Sequence, residues 1–144
     1  MADKEVFSFK INNNYFGVDT TIVDSISDEF NRTDVPCSSS LVKEMISYRN
    51  EIIPVVNLGG YLFGHSTYEG ETDPMLMICN VGNQKVAFEI DEPSGIIKLE
   101  DASKYDIGAI IKARAYMLDS YIVTKEKRIL GVLNLDKLYH DLTN

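Results

Sequence analysis

The sequence lacks almost everything that bond chemistry or nucleic-acid binding requires. It has two histidines, His65 and His140, far apart. Neither has a partner at metal-ligand spacing such as H-E-x-x-H, so no metal centre is expected. Its two cysteines, Cys37 and Cys79, make no disulfide framework. Cys79 lies in the apolar run MLMIC and reads as a small buried hydrophobe. No serine sits in a G-x-S-x-G context, and no G-K-[ST] follows Gly59-Gly60, so that glycine pair reads as a turn and not as a phosphate loop. Cations are scarce: 14 Lys and Arg stand against 22 Asp and Glu, for a net charge of −8. The densest basic cluster, Lys125, Lys127 and Arg128, is no long stripe, which argues against nucleic acid as a partner. No apolar run approaches the ~20 residues of a bilayer span, so no membrane insertion is expected. The N-terminal MADKEVF is charged and enters a strand at once; no signal peptide is expected, and the cytoplasm is the expected compartment.

What remains is an ordinary soluble composition, 44% hydrophobic and 25% charged, over 144 residues. That length fits one domain, residues 1–144, able to bury roughly 68–70% of its unfolded surface without metals or disulfides. The acidic balance suits solubility or a locally basic partner.

The stretch 41–64, LVKEMISYRNEIIPVVNLGGYLFG, is the most informative. Two apolar runs, Met45–Tyr48 and Ile52–Leu58, flank Arg49-Asn50-Glu51, the pattern of a β-hairpin with a charged tip. Asn50 tolerates a left-handed turn position. Arg49 at a rigid tip suits binding better than catalysis, because its planar fork pairs and stacks. Pro54 cannot donate to a ladder, so its strand is expected at an edge or a bulge.

Elsewhere Phe7, Phe9 and Ile11 alternate with polar residues, as in a half-buried strand, and Asn12-Asn13-Asn14 reads as a turn. Thr20–Ser27 fits a helical turn or a strand, and Asp28–Ser40 and His65–Pro74 read as polar loops. Met75–Val81 and Lys85–Ile90 pair across Gly82-Asn83-Gln84; Val86, Phe88 and Ile90 form a core face, with Ala87 and Glu89 opposite and exposed. Asp91–Gly95 is a break, with Asp91 and Glu92 read as a solvated turn and not as a catalytic dyad. Ile96–Leu99 is extended again, Glu100–Gly108 is a polar connection, and Ala109–Leu118 fits strand or helix. Tyr121–Thr124 and Ile129–Asn134 form a hairpin. Asn134 or Asp136 caps a final helix carrying Leu135, Leu138, Tyr139 and Leu142 on one face. Many short strands with regular turns indicate a mostly-β barrel or sandwich.

The ordered set of motifs resembles the CheW-like domain, whose core runs roughly V-x-G-x-I-N-L-R-G-x-I-I-P-V-I-D-L and then F/L-G. The matching residues are Val42, Ile46, Arg49, Ile52, Ile53, Pro54, Val55, Leu58, Phe63 and Gly64. FSFKINNNYFGVDTTIVDSI is similar to the family's opening strands, Val35-Pro36 to its V-P, VAFEIDEPSGIIKL to V-G-I-V-V-D-x-V-x-E-V, and GVLNLDKLYHDL to its closing strand and helix. Departures are Glu44, Ser47, Tyr48, Asn50, Asn57 and Gly59, where the family usually has glycine, asparagine, leucine, glycine, aspartate and arginine.

The resemblance implies two small five-stranded β-barrel lobes side by side with a C-terminal helix, both chain ends in one lobe and the middle segment in the other. It implies a non-catalytic chemotaxis adaptor, without cofactor, coupling methyl-accepting chemoreceptors to a CheA-type histidine kinase at receptor arrays on the membrane. Arg49, Asn50 and Pro54 are then the receptor-contact candidates, at a groove between the lobes. Kinase contact is expected on the middle lobe at Ile96 or Ile97, of which one should be exposed because strand neighbours face opposite sides. Asp91 is implied to be structural. The alternatives are a divergent scaffold for another histidine-kinase pathway and, in a different class, a small β-barrel ligand-binding protein or enzyme, for which no convergent polar constellation is found.

Overall fold

Alternating apolar residues and short turn signals break this chain into strands, and the computed structural model describes residues 5–28, 32–34, 42–63, 75–106 and 118–143. The strands are β1 (Glu5–Ile11), β2 (Asn14–Asp19), β3 (Val23–Ser27), β4 (Arg32–Asp34), β5 (Val42–Tyr48) and β6 (Glu51–Val56). After helix α1 (Leu58–Phe63) come β7 (Met75–Val81), β8 (Gln84–Ile90), β9 (Glu92–Lys98), β10 (Ala102–Asp106), β11 (Leu118–Thr124) and β12 (Ile129–Leu133), then helix α2 (Leu135–Thr143). The expectations for residues 35–40, 64–74 and 109–117, with Cys37 and His65, lie outside the described residues.

The fold is mostly β; the described residues form two six-stranded sheets ordered β10-β11-β12-β2-β1-β9 and β3-β7-β8-β6-β5-β4. Six strands stand where five per lobe were expected. The two added strands come from segments that read as polar, β4 in 28–40 and β10 in 100–108, and β9 also starts earlier than expected, within the 91–95 break. All three lie at sheet edges, where half of the strand faces water and polar residues fit. The chain divides into two compact units, Met1–Ile22 with Pro93–Asn144 (the terminal unit) and Val23–Glu92 (the middle unit).

In the terminal unit, β1 is flanked by β2 and β9, and Val6, Phe7, Ser8 and Phe9 are all buried. The half-buried expectation for this strand is therefore corrected. The buried Ser8 hydroxyl is satisfied by donating to the Gly95 carbonyl at 2.9 Å, as a buried polar group must be. Val6, Ile122 and Leu130 form a core cluster against which Tyr15, Ile97, Leu99, Ala102 and Val132 pack. Asn134 caps α2 by accepting from the Lys137 N–H at 3.1 Å; Leu135 and Leu138 are buried and Tyr139 is half-buried.

In the middle unit, β8 pairs with β7 antiparallel and with β6 parallel. Ala87 and Glu89, expected on an open face, are buried. Ala87 belongs to a cluster with Ile46, Tyr48, Ile53, Val55, Leu76 and Ile78, and α1 also packs on β8. Gly59-Gly60 is not a turn but the first part of α1. Asn57, which stands where the family's aspartate is usual, accepts from the Gly60 N–H at 2.9 Å, and asparagine serves this N-terminal role as well as aspartate does.

Gly17 on β2 is held small by its neighbour: a Cβ there would lie 2.2 Å from Val6 Cγ1. Val6 is buried and stiff at χ1. Gly17→Ala is expected to destabilise the fold by about 1–3 kcal/mol, seen as a lower urea midpoint; an unchanged midpoint would mean that β1 yields freely.

Candidate functional site

The β5–β6 hairpin closes on two residues, Arg49 (φ 48°) and Asn50 (φ 66°). Positive φ at both central positions defines the type I′ turn that matches strand twist. Glu51, expected in the tip, is instead the first residue of β6 and pairs with Tyr48. The Arg49 guanidinium lies 4.9 Å from the centre of the Tyr48 ring and its Nη1 is 3.5 Å from Asp24 Oδ2. Its side chain is nonetheless 67% exposed, against 20% for Asp24.

Tyr48 is the support beneath this arginine. Its ring is buried, its hydroxyl donates to Asp24 Oδ2, and it accepts from the Ser25 hydroxyl at 3.0 Å. The donated hydrogen bond holds the Asp24 carboxyl below its usual range, against a desolvation that pushes it up; the charges of Arg49 and Lys85 act in the same downward sense. Tyr48 stands where the family usually has leucine, so phenol, carboxylate and guanidinium form a chain of contacts that a leucine would not provide. Asp24 was not singled out from the sequence, because its partners lie more than twenty residues away.

Pro54 is half-buried on β6. The strand is internal to its sheet, so the edge expectation is corrected. The ladder to β8 begins only at Val55, leaving Pro54 outside it, and a register shift opposite Val55 and Val56 marks a bulge nearby. Pro54 pairs with Met45, and Ile52 with Ser47. Ile53 and Val55 are buried, so the alternate residues Ile52 and Pro54 share the other face. Ile52 is 66% exposed. Its exposure was missed because it reads as one member of an apolar run; its cross-strand partner Ser47 was the available signal.

The second candidate pair requires a correction of place. Ile96 and Ile97 lie on β9, which pairs with β1, and so belong to the terminal unit and not to the middle lobe. Ile97 packs on the Val6, Ile122 and Leu130 cluster, whereas Ile96 is 60% exposed. Both border an open depression of about 400 Å³ with Asp101, Thr124 and Lys125 on its rim, where Lys125 pairs with Asp101 at 3.5 Å. Ile129, also exposed, was not anticipated; it follows a polar hairpin loop. Asp91 and Glu92 are exposed.

Among the described residues no group of three His, Cys, Asp or Glu could hold a metal ion, and no helix is long and apolar enough to cross a membrane. Burial pushes the Cys79 thiol up to about 12, aided by the charge of Asp24, so it stays protonated and unreactive at neutral pH.

The CheW-like domain profile matches residues 5–143. The chain is 23% identical over 143 residues to a chemotaxis protein CheW of Thermotoga maritima, covering 99% of this chain and 92% of that protein. Its fold is similar to the crystal structure of scaffolding protein TtCheW from Thermoanaerobacter tengcongensis, with a TM-score of 0.75 at 19% identity over 92% of this chain and 89% of that one.

Because folding lowers the pKa of Asp24, its contribution to stability is present above the unfolded value of about 3.9 and is lost as pH falls through the folded one. Tyr48→Phe removes the main cause. The variant is expected to titrate Asp24 at higher pH and to lose less stability on acidification, measured by carboxyl NMR and by urea midpoints against pH. Identical Asp24 titrations in parent and variant would assign the shift elsewhere.

Proposed function

The chain belongs to the CheW-like domain family of non-catalytic chemotaxis scaffolds, and on that premise we propose that it couples chemoreceptors to a CheA-type histidine kinase in the cytoplasm beneath receptor arrays. The observation that carries this reading is the tip of the β5–β6 hairpin. There an arginine is fixed at a left-handed turn by Tyr48 and Asp24 yet keeps most of its surface in water. A pre-positioned guanidinium loses little freedom on docking. Asn50 shares its turn, and Ile52 and Pro54 supply apolar area on the same hairpin. Together they fit a receptor helix that is apolar with a polar rim.

The kinase contact is assigned to the terminal unit, around the exposed Ile96 and the depression beside it. Adaptors of this kind transmit geometry and population changes, and multivalent arrays tolerate weak single contacts. A second reading, a scaffold for another histidine-kinase pathway, is favoured by the departures at Glu44, Ser47, Asn50 and Asn57 in the recognition hairpin. Affinity capture from native lysate separates the two by the kinase and receptors recovered.

Arg49→Ala is expected to weaken receptor association by about 1–2 kcal/mol with stability little changed, since truncating a tip residue opens no cavity; equal affinities by titration would reduce Arg49 to a solvated tip. Ile96→Asp is expected to abolish kinase co-purification while leaving the far-ultraviolet spectrum and Tm unchanged. Ile97→Asp, by contrast, places a charge against the core and is expected to unfold the protein, at several kcal/mol, comparable to a small domain's whole stability. If Ile96→Asp and Ile97→Asp both leave kinase binding intact, the docking surface lies elsewhere.

A further inference from the structure

The terminal unit carries a second arginine laid on a tyrosine. Arg128, in the loop between β11 and β12, stacks its guanidinium 4.1 Å from the centre of the Tyr15 ring, closer than Arg49 lies to Tyr48. Its Nη1 donates to Ser94 Oγ at 3.4 Å, and its backbone is pinned through its own N–H to Thr124 Oγ1 and through its carbonyl to the Thr124 N–H. Lys10 reaches the same ring, 5.6 Å from its centre, because Lys10 and Tyr15 are cross-strand partners. The neighbouring Lys127 has φ 68°, so this hairpin, like the β5–β6 hairpin, holds a long cationic residue in the left-handed region that such side chains rarely enter.

The two arginines differ in one respect. Arg49 has its carboxylate within the unit, Asp24. Arg128 is exposed, and among the described residues no carboxylate pairs with it. Stacking and the Ser94 contact hold the guanidinium in place, and its remaining N–H donors meet no carboxylate among the described residues. Ordering that is already present in the free protein strengthens a later contact, because less freedom remains to be lost. We propose that Arg128, held on Tyr15 with Lys10 beside it, is an anchor for a carboxylate of an acidic segment on a partner protein. Guanidinium and carboxylate match as a two-bond fork. The local charge favours the same ligand: Lys125, Lys127 and Arg128 crowd one loop with Glu126 as its only acid, and the terminal unit has as many cations as carboxylates although the whole chain carries −8.

The test needs no knowledge of the partner. An acetylated tetraglutamate amide, and separately inorganic phosphate, are titrated into the intact isotope-labelled chain at low salt, following the Arg128 Nε–H, the Ser94 amide and the Tyr15 ring by NMR. Saturable shifts at these three groups with the peptide are expected, with the dissociation constant raised about fivefold or more in Arg128→Gln, the scale of one lost anchor. Tyr15→Leu, which keeps the charge but removes the stack, is expected to fall between parent and Arg128→Gln. An unchanged Tm shows that each variant is folded; should Tyr15→Leu unfold, Arg128→Gln at an exposed site decides alone. No saturable shift with the peptide, or equal affinity in Arg128→Gln, overturns the proposal. Shifts with phosphate but not with the peptide overturn the carboxylate assignment in favour of a phosphate site.

Discussion

Register set by two-residue turns is the constraint on which both sheets depend. Asn12-Asn13 joins β1 to β2 and Arg49-Asn50 joins β5 to β6, each pair with φ positive throughout; Gly82 supplies the positive φ between β7 and β8. Turns this short leave no slack. Because side chains alternate between faces, a slip of one residue in β6 would bring Ile52 and Pro54 inward and turn Ile53 and Val55 out. Asparagine and glycine adopt the left-handed region readily, whereas a long side chain there costs about 1–2 kcal/mol. Arg49 bears that cost at the tip proposed to contact a receptor. The stack on Tyr48 and the pair with Asp24 offset it, so the contacts that settle the turn also aim the guanidinium.

Charge is divided as unevenly as the contacts. The middle unit holds the entire excess of −8, while the terminal unit is balanced. The field around the middle unit favours approach by basic surfaces over distances comparable to the Debye length. Arg49 is then a cation set within an acidic unit and neutralised by its own Asp24; its value at an interface lies in shape and stacking more than in net charge. Arg128 stands in a neutral unit with no such carboxylate among the described residues, which is why its charge is the part proposed to meet a partner. The same residue pairing, arginine on tyrosine, thus serves opposite electrostatic ends in the two units.

Much of this was legible in the sequence because short-range rules governed it. Alternation and turn residues located β7, β8, the Arg49 hairpin and the β11–β12 hairpin, and the capping role of Asn134 follows from residue type. What could not be read depended on tertiary neighbours. Ser8 looks like a solvent-facing residue until β9 brings the Gly95 carbonyl over it. Glu89 looks exposed until β8 is found between two strands. Gly59-Gly60 looks like a turn because glycine disfavours helix, yet the Asn57 cap and burial of Leu58 settle α1. Ile96 and Ile97 read as part of the middle lobe because the crossover from β8 to β9 leaves no mark in local pattern, yet they lie in the terminal unit. At the site, Arg49, Asn50 and Pro54 were identifiable as a hairpin set, whereas Asp24 and the Tyr15–Arg128 stack join residues distant in sequence.

Shifted acidity often marks an active site. Among the described residues two groups are clearly shifted, and both shifts have structural causes: Asp24 is lowered by the phenol that orients Arg49, and Cys79 is raised by burial in the core. Neither is poised to move a proton to a substrate, because Asp24 is kept ionised and the thiol is kept neutral. Among the described residues the non-glycine positions with positive φ all lie at hairpin tips. Groups that an enzyme would turn inward toward a reacting atom are, in this chain, used to hold cations at the surface. Groups held in this way suit recognition rather than reaction, in keeping with the non-catalytic scaffold family to which the chain belongs.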